Sequence, residues 1–304
     1  MISVLILTKN AGQRFEKVLS SVFSQRIKET YDVILIDSGS SDETLSIAQR
    51  FDTKIIKINP QDFGHGRTRN LAVRACKSEY VVMLVQDAIP ENENWLRELI
   101  DPFKEYSDVA GVFSRQIPYQ DASIFEKAFI SFYYGPDHKV QDKRGELSID
   151  DVFFSNVSAA MRRELLLRFA FDEDLIMSED QAWAKKVLEG GYRLVYNPKS
   201  IVYHSHNYSL IKAFQRFFDS GVSLRKLGLI GKRNYRKGLQ YLLFEFRYCF
   251  RELGLAGFVF TFPHLMLYEF LRFSGFILGQ QYKKFPHSLL KKLSLHKFYW
   301  NAGL

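Results

Sequence analysis

VMLVQDAIP, residues 82–90, is an apolar run that ends in a single carboxylate and a proline. A short run of this kind, too brief for a helix and closed by a turn signal, reads as a strand buried on both faces. An acid at the mouth of such a strand either caps the next turn or holds something charged. Upstream, RTRNLAVRAC (67–76) has helical spacing and TKIIKIN (53–59) is another strand. SSDETLSIAQRF (40–51) reads as a helix capped by Ser or Asp with Glu43 in its first turn. YDVILID (31–37) is a strand, and ISVLILT (2–8) is the first strand. Between these two strands lies FEKVLSSVFSQ, with apolar residues at 15, 18, 19, 22 and 23. Strands alternating with helices imply right-handed crossovers and a parallel sheet, hence an α/β fold. Ligands of such sheets bind beyond the carboxyl ends of the strands. Asp37, the stretch 64–70 and Asp87 all fall on that edge.

From about residue 109 the pattern changes. VAGVFSRQIP (109–118) and VFFSNVSAAMRR (152–163) read as strands, joined by a polar connection over about 135–150 that suits a mobile loop. SEDQAWAKKVLEGG (178–191) is a helix stopped by two glycines, followed by the strand signals YRLVYNP and IVYHSH. After about 207 the chain reads as helical and basic.

Of 304 residues 46% are apolar and 15% aromatic, enough to bury a full core and to exclude a disordered chain. The net charge of +8 is uneven. Residues 1–209 hold 26 Lys/Arg against 30 Asp/Glu, whereas residues 210–304 hold 16 against 4. In the second region the basic residues alternate with Phe, Leu and Tyr, which suits an anionic membrane surface. No recognition helix or single-strand motif accompanies them, so a nucleic-acid partner is not expected. Two distant cysteines, Cys76 and Cys249, imply a reducing compartment. With no basic leader before MISVLIL, the expected location is cytoplasmic. LGLAGFVFTFPHLMLY (253–268) is uncharged for only 16 residues. A span needs about 20, so helices packed on the protein or lying in an interface are expected, with a re-entrant segment as the alternative.

Each candidate residue has a bland reading beside the chemical one. Asp37 or Ser38 caps a helix, or Asp37 is a carboxylate aimed at a base or ribose. FGHGRTRN (63–70) is a loop, or its glycines and helix N-terminus accommodate phosphate. Asp87 is structural, or one of the hard oxygen ligands that a metal–diphosphate requires. Glu179 and Asp180 are a solvated acidic helix start, or one of them is a general base. His204 and His206, two apart on an expected strand, are ordinary surface or core histidines, or they point together at a metal.

In this order, SVLILTKN (3–10), VILIDSGSSDET (33–44), RTRNLAVRA (67–75), VQDAIP (85–90), SNVSAAMRR (155–163) and MSED (177–180) resemble family 2 glycosyltransferases of the GT-A fold. The resemblance covers roughly residues 2–205, and FGHGRTRN with QDAIP is similar to a bacterial rhamnosyltransferase branch. It implies a Rossmann-like, mostly parallel sheet flanked by helices over 1–206, with a nucleotide-sugar half to about 110 and an acceptor half after it. A helical extension would occupy 207–304. It implies Asp87 as the last acid of a D-x-D motif that binds a divalent metal, Mg²⁺ or Mn²⁺, on the donor diphosphate. Here Val85 replaces the first acid, and the family implies His204 as a further ligand. By the same carry-over Thr8, Asn10, Asp37 and Ser38 line the nucleotide site. Arg69 and Asn70 sit near the diphosphate or sugar, and His65, Gln86 and Asn156 belong to the same binding surface. Asp180 is the base that activates an acceptor hydroxyl, with Glu179 behind it.

The implied reaction is inverting transfer of a sugar, rhamnose from dTDP-rhamnose, to a polyprenyl-diphosphate-linked glycan in surface polysaccharide synthesis. The enzyme would rest on the cytoplasmic face of the inner membrane. Other donors (galactofuranosyl, mannosyl or N-acetylglucosaminyl nucleotides) and a non-catalytic nucleotide-sugar-binding scaffold are the competing readings. LIKAFQRFFDSG (210–221) sets Ile211, Phe214, Phe218 and Gly221 along one helical stripe, away from Lys212, Arg216 and Asp219. The basic helices then rest on headgroups, or instead brace the catalytic domain or form a homodimer contact.

Overall fold

The computed structural model describes residues 1–143 and 145–301. Its first unit comprises residues 1–117, 134–173 and 179–204, and its second comprises 118–133, 174–178 and 205–301 of the described chain. Two earlier segments, 118–133 and 174–178, thus join residues 205–301 in the helical unit.

The first unit is built on one nine-stranded sheet. β1 (Ile2–Thr8), β2 (Tyr31–Asp37), β3 (Thr53–Lys57) and β4 (Tyr80–Val85) are all parallel, in the order β3-β2-β1-β4. Their crossovers carry α1 (Arg14–Phe23), α2 (Thr44–Ala48) and α3 (His65–Ala75). β1 is apolar and nearly wholly buried because helices and sheet neighbours cover both faces. α1 turns Phe15, Val18, Leu19 and Val22 into the core, as its spacing predicts.

The remaining elements are β5 (Ile89–Pro90), α4 (Trp95–Glu105), β6 (Val109–Ile117), β7 (Lys139–Gln141), β8 (Ser158–Arg162), α6 (Arg163–Arg168), α7 (Glu179–Glu189) and β9 (Arg193–Tyr203). Between β6 and β7 in the chain, α5 (Ile124–Tyr133) belongs to the second unit. β8 pairs antiparallel to β4 and to β6, and β9 runs parallel to β6. The sheet is continuous across residue 110.

Several elements differ from the sequence expectation. The strand expected over 152–163 is confined to 158–162, because the main-chain N–H of Asn156 donates to Asp180 rather than to a ladder. YRLVYNP and IVYHSH form one strand, not two. The register shift between Ser114 and Arg115 leaves Pro198 unpaired, where its missing N–H costs no ladder bond. The polar connection contains β7, paired to β9. α4 survives Pro102 because the carbonyl of Glu98, left without its helical donor, accepts from Asn197 Nδ2 at 2.7 Å.

The second unit is helical: α5, α8 (Leu210–Lys226), α9 (Lys232–Gln280) and α10 (His287–Leu293). On α8 the buried stripe runs through Ala213, Phe218, Gly221 and Val222, while Ile211 is 71% exposed. Asp219, expected off that stripe, is fully buried. Its Oδ2 accepts from the main-chain N–H groups of Leu295 and His296 (3.0 Å each) and contacts His296 Nδ1 at 2.9 Å, whereas Oδ1 is buried without a hydrogen-bond partner.

Candidate active site

At the carboxyl ends of β1 and β2 the side chains are tied to one another. Asp37 is 1% exposed and accepts from Thr8 Oγ1 (3.3 Å), from the main-chain N–H groups of Gly39 and Ser40 (3.0 Å each) and from Ser40 Oγ (2.5 Å). These are the bonds of a turn cap, and they fix the loop 38–41. Ser38 donates from both N–H and Oγ to the carbonyl of Thr8. Asn10 has φ 48° and accepts from Ser41 N–H at 2.8 Å. Gln86, at the end of β4, accepts from Lys9 N–H (2.8 Å) and donates to Lys9 carbonyl (3.3 Å), joining the ends of β4 and β1.

At the β4 end the register does the assembling. Leu84 opposes Ser158 and Val85 N–H donates to Val157 carbonyl, so Asn156 lies level with Gln86 just past the ladder. Asn156 holds the acidic pair: its N–H donates to Asp180 Oδ2 (3.2 Å) and its Nδ2 donates to Glu179 Oε1 (3.4 Å). Asp180 Oδ1 accepts from Gln181 N–H at 2.9 Å. Glu179 is buried against Arg69, with Nη1 2.6 Å from Oε1. The same Arg69 nitrogen donates to the carbonyl of His65, whose ring packs edge-on against Phe63.

The electrostatics separate the two acids. Burial by itself would raise the Glu179 carboxyl, but the Arg69 guanidinium and His65 reverse this and hold it below its ordinary value. Asp180 is pushed up to about 7, first by burial and second by the negative charge of Glu179. It is only half-buried. One carboxylate is therefore locked as an ion, and its neighbour is poised to exchange a proton near neutrality.

α3 begins at His65, two residues earlier than its sequence pattern, so Arg69 and Asn70 lie in its second turn. Asn70 is occupied with the 171–173 segment: Nδ2 donates to Phe171 carbonyl (3.0 Å) and Glu173 (2.8 Å), and Oδ1 accepts from Phe171 N–H. Gly66 permits that approach, since a Cβ there would lie 2.2 Å from Asp172 carbonyl oxygen.

Asp87 and His204 are brought together by the β5–β9 pairing, in which Ile89 opposes Tyr203. His204 Nε2 lies 3.7 Å from Asp87 Oδ1. Gln116, unremarked in the sequence, decides the tautomer. Its Nε2 donates to Tyr134 Oη (2.6 Å) and Ser155 Oγ (3.1 Å), so its Oε1 accepts from His204 Nδ1 at 2.9 Å. In the neutral ring Nε2 then carries the lone pair, and it lies 3.7 Å from the Asp87 carboxylate. Two electron-pair donors so arranged fit a cation. The strand ends before both histidines, and the main-chain N–H of His206 donates to Glu126 at 3.1 Å. Gln116 was legible only as a polar residue near a strand's carboxyl end. Its role depends on Tyr134, Ser155 and His204.

Residues 3–169 match the model of glycosyl transferase family 2. The chain is 33% identical to the O-antigen chain rhamnosyltransferase WbaN of Salmonella anatum, covering 98% of this chain and 95% of that protein. It is also 33% identical to RfbN of Salmonella typhimurium, an O-antigen chain rhamnosyltransferase, over 99% and 96%. Among solved structures, mannosyltransferase PcManGT of Pyrobaculum calidifontis, in complex with GDP-Man and Mn²⁺, aligns with TM-score 0.63 at 16% identity, covering 91% of this chain and 86% of that one. TarS 1–349 of S. aureus, in complex with UDP-GlcNAc, aligns with TM-score 0.54 at 15% identity, covering 93% and 91%. At such identities the structural likeness speaks for the fold, a GT-A-like α/β sheet flanked by helices. The family match and the near full-length relatives carry the assignment: this chain is a glycosyltransferase of family 2.

Proposed function

We propose that the enzyme transfers L-rhamnose from dTDP-rhamnose, with inversion, to a hydroxyl of a polyprenyl-diphosphate-linked glycan at the cytoplasmic face of the inner membrane, in O-antigen synthesis. The observation that carries the chemistry is the Asp180 carboxylate, partly buried, fixed by two main-chain N–H groups and raised to about 7 beside an ionised Glu179. The rhamnosyl reading is supported by relatives of that activity that align over nearly the whole chain.

In this mechanism the acceptor hydroxyl gives its proton to Asp180 as its oxygen attacks the anomeric carbon. The bond from that carbon to the diphosphate oxygen breaks with its electron pair leaving on the nucleotide, so attack and departure occur on opposite faces. Asn156 keeps the base aimed through its N–H, and Glu179, clamped by Arg69, keeps the base's proton affinity high. Thr8, Asn10, Asp37 and Ser38 shape the nucleotide end through the 38–41 loop, and His65, Arg69, Asn70 and Gln86 form the wall toward the diphosphate and sugar. Asp87 and His204 would hold a divalent ion, which when bound offsets charge on the departing diphosphate.

The test is turnover of labelled dTDP-rhamnose with a polyprenyl-linked acceptor, beside a thermal-shift panel of dTDP-, UDP- and GDP-sugars with and without Mn²⁺. Preference for a UDP- or GDP-sugar would remove the rhamnose reading, and binding without turnover would favour a non-catalytic binder. For the ion, calorimetric titration of the full chain with Mn²⁺ should show weaker binding in Asp87→Asn and His204→Ala. Gln116→Leu, which frees the His204 ring, should lose about 10- to 100-fold in affinity. Unchanged Mn²⁺ affinity in Asp87→Asn would sink the ligand assignment.

A further inference from the structure

Within the second unit, α9 turns back on itself. Gly254 adopts φ 66° and ψ 178°, outside the helical region. The two arms beside it run antiparallel. Tyr235 Oη reaches Gln280 Oε1 (3.3 Å), Arg272 Nη1 reaches Tyr241 Oη (3.0 Å), and the rings of Phe246 and Phe262 lie 5.8 Å apart. In a straight helix residues 246 and 262 would be about 24 Å apart.

The arm 255–280 has the reverse of a surface helix's polarity. Its packed face carries Leu265, Tyr268 and Arg272, with Gly275 and Gly279 against α8, where a Cβ would lie 2.3 and 2.1 Å from the carbonyl oxygens of Phe214 and Phe218. Arg272 is buried: it pairs with Glu269 at 2.5 Å and stacks over Phe217, 4.4 Å from the ring centroid. The outward face carries Leu255 (69% exposed), Val259 (59%), Phe260 (86%), Met266 (42%), Phe270 (64%) and Phe273 (57%). At 3.6 residues per turn these six fall on one half of the cylinder, opposite Arg272. The charged pair therefore faces inward and the large apolar groups face out, which water penalises and an apolar medium favours.

Charge identifies the medium. Arg247 and Arg251 precede the arm and Lys283 and Lys284 follow it, while Arg233, Arg236 and Lys237 lie on the other arm, whose start runs beside residue 280. Residues 210–304 as a whole hold 16 Lys/Arg against 4 Asp/Glu. An apolar helical face with cations at both ends is complementary to an anionic lipid leaflet. By length and composition α9 could cross a membrane, but the basic residues of the first arm disfavour a spanning hairpin, and Arg251 and Glu252 beside the turn disfavour entry turn-first. An arm lying flat keeps these charges at the headgroups.

We infer that residues 255–273 form an in-plane anchor, seating their apolar face at the headgroup–acyl boundary of an anionic leaflet. This rests on the membrane-face reading proposed above and adds to it the segment, its orientation and the lipid charge. The test uses the full chain and vesicles of phosphatidylglycerol with phosphatidylethanolamine, against vesicles of phosphatidylcholine alone. The native Trp95, Trp183 and Trp300 are fully buried, so a Phe260→Trp reporter stands out. Its emission should shift to the blue with anionic vesicles and be quenched by lipids brominated high on the acyl chain. Phe260→Asp with Phe270→Asp should lower vesicle partition by about tenfold or more with an unchanged melting temperature. Unaltered emission, or partition untouched by the double variant, overturns the anchor. So does a concentration-dependent dimer without vesicle affinity that Phe260→Asp dissociates, since a second copy would then cover the face. Sugar transfer without partition overturns this inference alone, whereas partition without transfer supports it and overturns the catalytic proposal.

Discussion

Asp180→Asn should lower kcat for sugar transfer by about 10²- to 10⁴-fold, the range that a positioned general base supplies. In the wild-type enzyme kcat/KM should rise with pH through about 7, where Asp180 loses its proton, and level above it. The variant's residual rate should lack that limb. The same substitution should make the protein more stable at pH 8. Because burial and Glu179 raise the folded-state pKa from 3.8 to about 7, the folded state holds this proton more tightly than the unfolded chain. Its contribution to stability is present below pH 4 and is lost as pH rises through 7. That difference corresponds to about 4 kcal/mol. Loss of one carboxylate acceptor toward Asn156 or Gln181 takes back about 1–3 kcal/mol. The variant should therefore melt higher than wild type at pH 8, and the gap should close by about pH 4. A dead variant with no such gain would leave Asp180 essential but not electrostatically loaded. Full transfer by the variant would remove it as the base.

Arg69→Met should destabilise the protein by about 3–5 kcal/mol, the cost of leaving a buried Glu179 without its cation. Arg69 and Glu179 are 7% and 5% exposed and 2.6 Å apart, so water cannot substitute for the lost partner. Adding Glu179→Gln should recover most of the loss, because the pair rather than either residue carries the energy. Urea-unfolding midpoints of the two single variants and the double variant form the cycle. Simple additivity would mean that the pair is not coupled. The activity of Arg69→Met carries a second signature: without the guanidinium the acidic pair holds protons more strongly, so the rising limb of the pH profile should move above 7.

The alternation of apolar strands and amphipathic helices was legible because a strand's or helix's periodicity is contained within ten or so residues. Parallel pairing then forces the carboxyl ends of β1, β2 and β4 to one edge, so Asp37 and Asp87 belonged there before any coordinate. The ordered motifs likewise named the family, and the basic, aromatic character of residues 210–304 was plain in composition. What each side chain does was decided by partners far away in sequence. Arg69 meets Glu179 across 110 residues, and Gln116 sets the His204 tautomer across 88. Asp37, readable as a ligand group or a cap, has its hydrogen bonds drawn into its own turn, and Asp219 is buried by the main chain of 295–296. In α9 the local pattern shows only an apolar helix. The reversal at Gly254 and the packing on α8 turned Arg272 inward and Phe260 outward, because burial depends on which face a neighbour covers and a linear sequence does not contain its neighbours.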